Sequence, residues 1–132
     1  MNIVVDANVL VRSIVEDDRR QSKAAQNVLE DAQTIAIANT ALCELVWVLS
    51  RIYRYSRNEI AEAIRRATNI DNVRLDLEAT AAGLALLEAG GDFADGVIAF
   101  EGRRLGADEF VSFDRKAVKL IQSQGQSARL LT

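Results

Sequence analysis

Short apolar runs rich in β-branched residues alternate with longer segments of helical period along this chain, and that alternation constrains the fold more than any other feature. Residues 2–5 (Asn-Ile-Val-Val), 34–38 (Thr-Ile-Ala-Ile-Ala), 73–75, 109–112 and 127–131 read as strands. Between them, Val11, Ile14 and Val15 begin a helical spacing from Asn8, and Ala24, Ala25, Val28 and Leu29 predict the inner face of a helix over 19–31. Asn39 or Thr40 can cap the next helix, whose Leu42, Leu45, Val46, Leu49, Ile52 and Tyr53 recur at intervals of three and four. Helices are further predicted over 56–68, from Asp76 to a stop at Gly90-Gly91, from Asp92 to about 105, and from an Asp114 cap to about 124. Strands that alternate with helices require crossover connections, which make neighbouring strands parallel. The expectation is one α/β domain over residues 1–132, a central, mostly parallel sheet with helices on both faces.

Composition removes whole classes of chemistry. The 132 residues include no histidine and a single cysteine, Cys43, so imidazole catalysis, an internal disulfide and a cysteine-built metal cage are all excluded. With 49% hydrophobic and 27% charged residues and no low-complexity tract, the chain reads as a soluble globular protein. It shows no charged leader and no apolar run of membrane-spanning length, so a cytoplasmic location without membrane contact is expected. A net charge of −3 argues against a uniformly basic nucleic-acid binder, yet Arg51, Arg54, Arg57, Arg65 and Arg66 stand against Glu59 and Glu62 in one stretch. That stretch is either a solvated helix face or a binding patch.

The carboxylates fall where strands end and helices begin. In open α/β sheets the working crevice lies beyond the carboxyl ends of the strands. Asp6 follows the first strand, Asp114 follows the fourth, and Glu44 sits one turn into the helix after the second. Asp92 and Asp95 occupy the first turn after Gly90-Gly91. Each has a structural explanation of its own: Asp92, Asp95 and Asp114 suit helix caps, each cap worth about 1 kcal/mol, and Asp6 suits an Asx turn. Glu44 stands out as a charge in an otherwise apolar helix, where burial would demand a partner or an ion. Four such groups at one rim would repel by about 4 kcal/mol per pair at ~4 Å and an effective dielectric of ~20. Bound protons or a dication would have to relieve this. With oxygen donors only, Mg2+ or Mn2+ is the expected ion and zinc is disfavoured.

Four segments together, VVDANVL with Asp6, NTALCELVWVL with Glu44, DFADGVIAF with Asp95 and VSFDRKAVKL with Asp114, give the chain a resemblance to PIN-domain ribonucleases of the VapC toxin type. The resemblance covers nearly the whole chain and implies a sheet flanked by helices, an acidic pocket holding Mg2+ or Mn2+, endonucleolytic cleavage of RNA, a VapB-type antitoxin as partner, and a homodimer. It assigns catalysis and metal binding to Asp6, Glu44, Asp95 and Asp114, with Asp92, Ser112 and Asn8 in support. The chain departs from the family at Phe100 and Glu101, where many relatives carry small residues.

The mechanism so implied is attack by a metal-bound water on a phosphodiester, which needs no histidine. Because the nucleophile is water, the preference for RNA over DNA comes from the resemblance alone. Arg12, Arg51 and Arg54 are the candidate cations that would offset repulsion between the acids and a polyanion. Trp47 is expected in the core or at a dimer contact ahead of a base-stacking role. The rival reading is a receiver-like signalling domain with an Mg2+-dependent phosphoacceptor aspartate. It would want an acidic pair after the first strand, where only Asp6 and then Asn8 follow, and a lysine at the end of its last central strand, whereas Lys116 lies inside a helix.

Overall fold

The protein, described over all of Met1–Thr132 by a computed structural model, contains five short strands and seven helices. Their order is β1 (Asn2–Val4), α1 (Ala7–Ile14), α2 (Arg19–Asp31), β2 (Thr34–Ala36), α3 (Asn39–Arg51), α4 (Arg57–Thr68), β3 (Val73–Arg74), α5 (Leu77–Glu88), α6 (Phe93–Arg104), β4 (Phe110–Ser112), α7 (Arg115–Ser123) and β5 (Ala128–Leu130). The alternation read from the sequence is therefore the observed one. Every strand pair is parallel. The residues form two compact units, 1–76 and 77–132.

In the first unit the strand order is β1-β2-β3, with Ile3 opposite Ile35 and Ile35 opposite Val73. Ile35 and Ile37 are buried, as β-branched residues on the inner side of a pleated strand should be. The opening strand differs from the buried run expected of it. Val5 is buried, but Val4 is 72% exposed, because β1 is the edge of its sheet and alternate side chains point to opposite faces. In α2 the inward positions are Ser22 and Ala25, and Val28 is exposed, so the helix is rotated from the face the apolar spacing implied. Ser22 Oγ donates to Val15 O, which satisfies its hydroxyl and lets a polar residue sit inward.

Helix α3 buries Ala41, Leu42, Leu45, Val46 and Leu49. Neither Asn39 nor Thr40 caps it; the N-cap position is Ala38, with no side-chain hydrogen bond. Helix α4 is held at its start by a full capping box, in which Glu59 N–H donates to Ser56 Oγ and Ser56 N–H donates to Glu59 Oε1.

In the second unit α5 and α6 pack closely, and glycine is what allows it. A Cβ on Gly96 would lie 2.5 Å from Ala82 O, and one on Gly83 would lie 2.6 Å from the Phe93 ring. Phe93 is fully buried at the start of α6. Gly90, at φ +104°, ends α5 as the Gly90-Gly91 pair predicts. Strands β4 and β5 pair with Val111 opposite Arg129, and Leu86, Ala99, Val118, Ile121 and Ala128 form the core beneath them. Pairing within each unit, three strands and two, is the observed form of the expected parallel sheet. No helix is long and apolar enough to cross a membrane.

Candidate active site

Asp6 lies between β1 and α1 as the N-cap of the helix, its Oδ1 accepting from Val9 N–H at 3.2 Å. The chain leaves an edge strand and enters a helix with a single carboxylate at the junction, and the cap fixes where that carboxylate sits. Glu44 projects from the exposed side of α3. The burial that made it notable in the sequence does not occur, because the helix turns Leu42, Leu45, Val46 and Leu49 inward and Glu44 outward. What joins Asp6 to Glu44 is an open hollow of ≈ 490 Å³ whose walls include both acids and Thr40. Asn8 is exposed in the first turn of α1.

The arginines divide. Arg12 Nη1 donates to Asp17 Oδ1 at 2.5 Å, and Tyr53 OH donates to Asp17 Oδ2 at 2.8 Å. The hydrogen bond from Tyr53 and then that from Arg12 lower the Asp17 pKa, while the bond to Asp17 raises that of Arg12. Arg12 is thus committed to a neighbour and is a poorer candidate for meeting substrate than its place after Asp6 implied. Arg51 and Arg54 are exposed at the end of α3. Arg54 adopts φ +59°, where the chain reverses so that Tyr55 N–H reaches Leu49 O. Trp47 is 58% exposed, which removes the core reading. The Arg12, Asp17 and Tyr53 group had no sequence signal: Tyr53 reads as one more apolar residue in the α3 pattern, and its hydroxyl partner comes from a loop before α2.

In the second unit Asp92 caps α6 by accepting from Ala94 N–H at 3.1 Å. No capping box forms, so Asp95 is not consumed by the helix start as its spacing allowed. Asp114 caps α7 by accepting from Ala117 N–H at 3.1 Å, and its own N–H donates to Ser112 Oγ at 2.9 Å, so Ser112 fixes the turn that presents the acid. Burial raises the Asp95 pKa first, and the nearby negative charges of Asp92 and Asp114 raise it further. Negative charge accumulates around this residue. Within neither unit do three or more His, Cys, Asp or Glu side chains gather closely enough to hold a metal ion by themselves.

A fold of parallel strands and helices with acids at the strand ends is what the PIN family defines, and the chain belongs to that family: the PIN domain profile matches residues 3–121. Among solved structures the chain is similar to Mycobacterium tuberculosis VapC20, described as a Sarcin-Ricin loop cleaving toxin. The identity is 15%, over 83% of this chain and 86% of that one, with a TM-score of 0.43. A likeness that distant carries no functional assignment. No curated protein matches the chain.

Proposed function

We propose that this protein is an Mg2+- or Mn2+-dependent endoribonuclease of the VapC toxin type, acting in the cytoplasm as a homodimer and restrained by a VapB-type antitoxin. The observation that carries the reading is that, in a PIN-family chain, the acid ending the first strand and the acid one turn into α3 open onto one hollow. Asp6 and Glu44 of the first unit and Asp95 and Asp114 of the second are the residues that would hold the ion. The donor set fits a hard dication: it is all carboxylate, the chain has no histidine, and burial with neighbouring charge already disfavours ionisation of Asp95. Such an ion, when bound, supplies a lowered pKa for a water and neutralises charge on a phosphate.

The chain's own residues do the rest. Capping holds the Asp6 carboxylate at the mouth of the hollow, and the Ser112 hydroxyl holds the backbone of Asp114. Asp92, fixed at the N-cap, adds to the field that makes Asp95 receptive to a cation. Asn8 stands beside Asp6 as a polar neighbour that brings no second charge. Arg51 and Arg54 offset the repulsion that carboxylates exert on an approaching RNA phosphate.

The test is incubation of the purified protein with mixed cellular RNA, with Mg2+ or Mn2+ and with EDTA, beside Asp6→Asn. Cleavage is expected only with the ion. Loss of an outer-shell partner of a metal site typically costs ~10–100-fold, so loss of a direct ligand is expected to cost more than about 100-fold. Cleavage that persists in EDTA, or at the wild-type rate in Asp6→Asn, overturns the reading.

A further inference from the structure

We propose that the exposed face of α3 is a track for single-stranded RNA, in which Trp47 stacks one base a turn beyond Glu44 and Arg51 holds a phosphate a turn beyond Trp47. The proposal rests on the nuclease reading above and adds to it a substrate subsite.

The face follows from helix geometry. At 3.6 residues per turn, Thr40, Glu44, Trp47 and Arg51 fall within an arc of about 60°, opposite the buried Ala41, Leu42, Leu45, Val46 and Leu49. Thr40 and Glu44 already line the hollow that holds Asp6, so the arc carries that hollow along the helix to an aromatic ring and then to a guanidinium. Long side chains on a helix cover the turn on their N-terminal side. An indole in that direction would cover the turn that bears Glu44.

The order of the three groups suits a polyanion. An acid and a phosphate side by side would repel, and an uncharged ring between Glu44 and Arg51 separates them while offering a π-face to the intervening base. Arg51 and Arg54 supply positive charge at the far end, and Arg54 keeps its long cationic side chain at φ +59°, a conformation in which glycine or asparagine is the easier choice. Charge complementarity thus selects RNA over an apolar protein surface as the occupant. Bases must be unstacked from their partners to use such a ring, so the substrate is a single strand.

Trp47 is the sole tryptophan of the chain, so intrinsic fluorescence reads this position alone. The experiment titrates the protein with a mixed-sequence single-stranded oligoribonucleotide of about 12 nucleotides, at low salt in EDTA to prevent turnover. Saturable quenching is expected, with no quenching by the same sequence as a duplex. Read for every variant by the anisotropy of a fluorescein-labelled copy of the same oligonucleotide, Trp47→Ala is expected to weaken binding by about ten-fold and Trp47→Phe to restore part of it. Arg51→Ala is expected to lower the slope of log affinity against log salt by about 0.7, a slope that Trp47→Ala leaves unchanged.

Quenching without any ion-dependent cleavage would uphold the track and sink the nuclease reading. Cleavage by a protein whose fluorescence ignores single strands, or whose Trp47→Ala variant binds them equally well, would sink the track. Emission that shifts with protein concentration in the absence of RNA, together with a smaller oligomer in Trp47→Ala, would assign this face to a second copy and overturn the proposal.

Discussion

Asp95 and Arg54 each hold a local state that opposes stability, and each makes a separate prediction. Burial and the charges of Asp92 and Asp114 raise the Asp95 pKa, so the folded chain holds that proton more tightly than the unfolded chain does. Between the ordinary carboxylate range and the raised value the folded state binds more protons, and stability therefore falls as pH rises through that window. In metal-free protein, Asp95→Asn is expected to melt higher than wild type at neutral pH, with the gap closing in acid where both side chains are neutral. Equal melting temperatures at neutral pH would count against it. At Arg54 the left-handed conformation costs an L-residue about 1–2 kcal/mol. Arg54→Gly is expected to gain about 1 kcal/mol, a rise of several degrees in a thermal melt, while weakening RNA binding through the lost charge.

At the scale of elements, the positions of the acids depend on how helices start and how closely they pack. Helix α6 carries Asp95 beside Gly96, and a methyl group there would press into the Ala82 carbonyl of α5. Gly96→Ala is expected to cost about 1–3 kcal/mol, read as a lower urea midpoint, because a backbone carbonyl cannot move aside as a side chain can. Ser56→Ala, which breaks the capping box of α4 and removes no proposed catalytic group, is expected to cost about 1 kcal/mol with cleavage at saturating RNA unchanged. Caps of this kind were legible in the sequence at Asp92 and Asp114, since a cap is written in a few consecutive residues. The start of α3 was not, because no side chain caps it and the helix begins on the strength of its packing.

At the scale of the whole molecule, the proposed acids come from both units, and the PIN profile spans both. If Asp6 and Asp95 serve one ion, removing the second acid after the first has little left to remove. The Asp6→Asn, Asp95→Asn double variant is then expected to cleave no more slowly than the worse single variant, as effects of groups that act as a unit are strongly non-additive. Multiplying losses would show that the two act independently. Addition of EDTA to wild type is expected to reproduce the level of the double variant in the same RNA cleavage assay.

The sequence by itself determined the strand and helix alternation, the glycine stop at Gly90, the caps at Asp92 and Asp114, the parallel pairing and the identity of the acids at the strand ends. All of these are set by neighbours within a few residues or by the geometry that short connections impose. It could not determine which apolar residues would be spared burial, as at Val4, Val28 and Trp47, or that Glu44 would face outward. Nor could it show that Asp17 and Tyr53 would claim Arg12. Those outcomes depend on contacts between residues far apart along the chain, where the same local pattern is compatible with several partners and only the packed structure selects one.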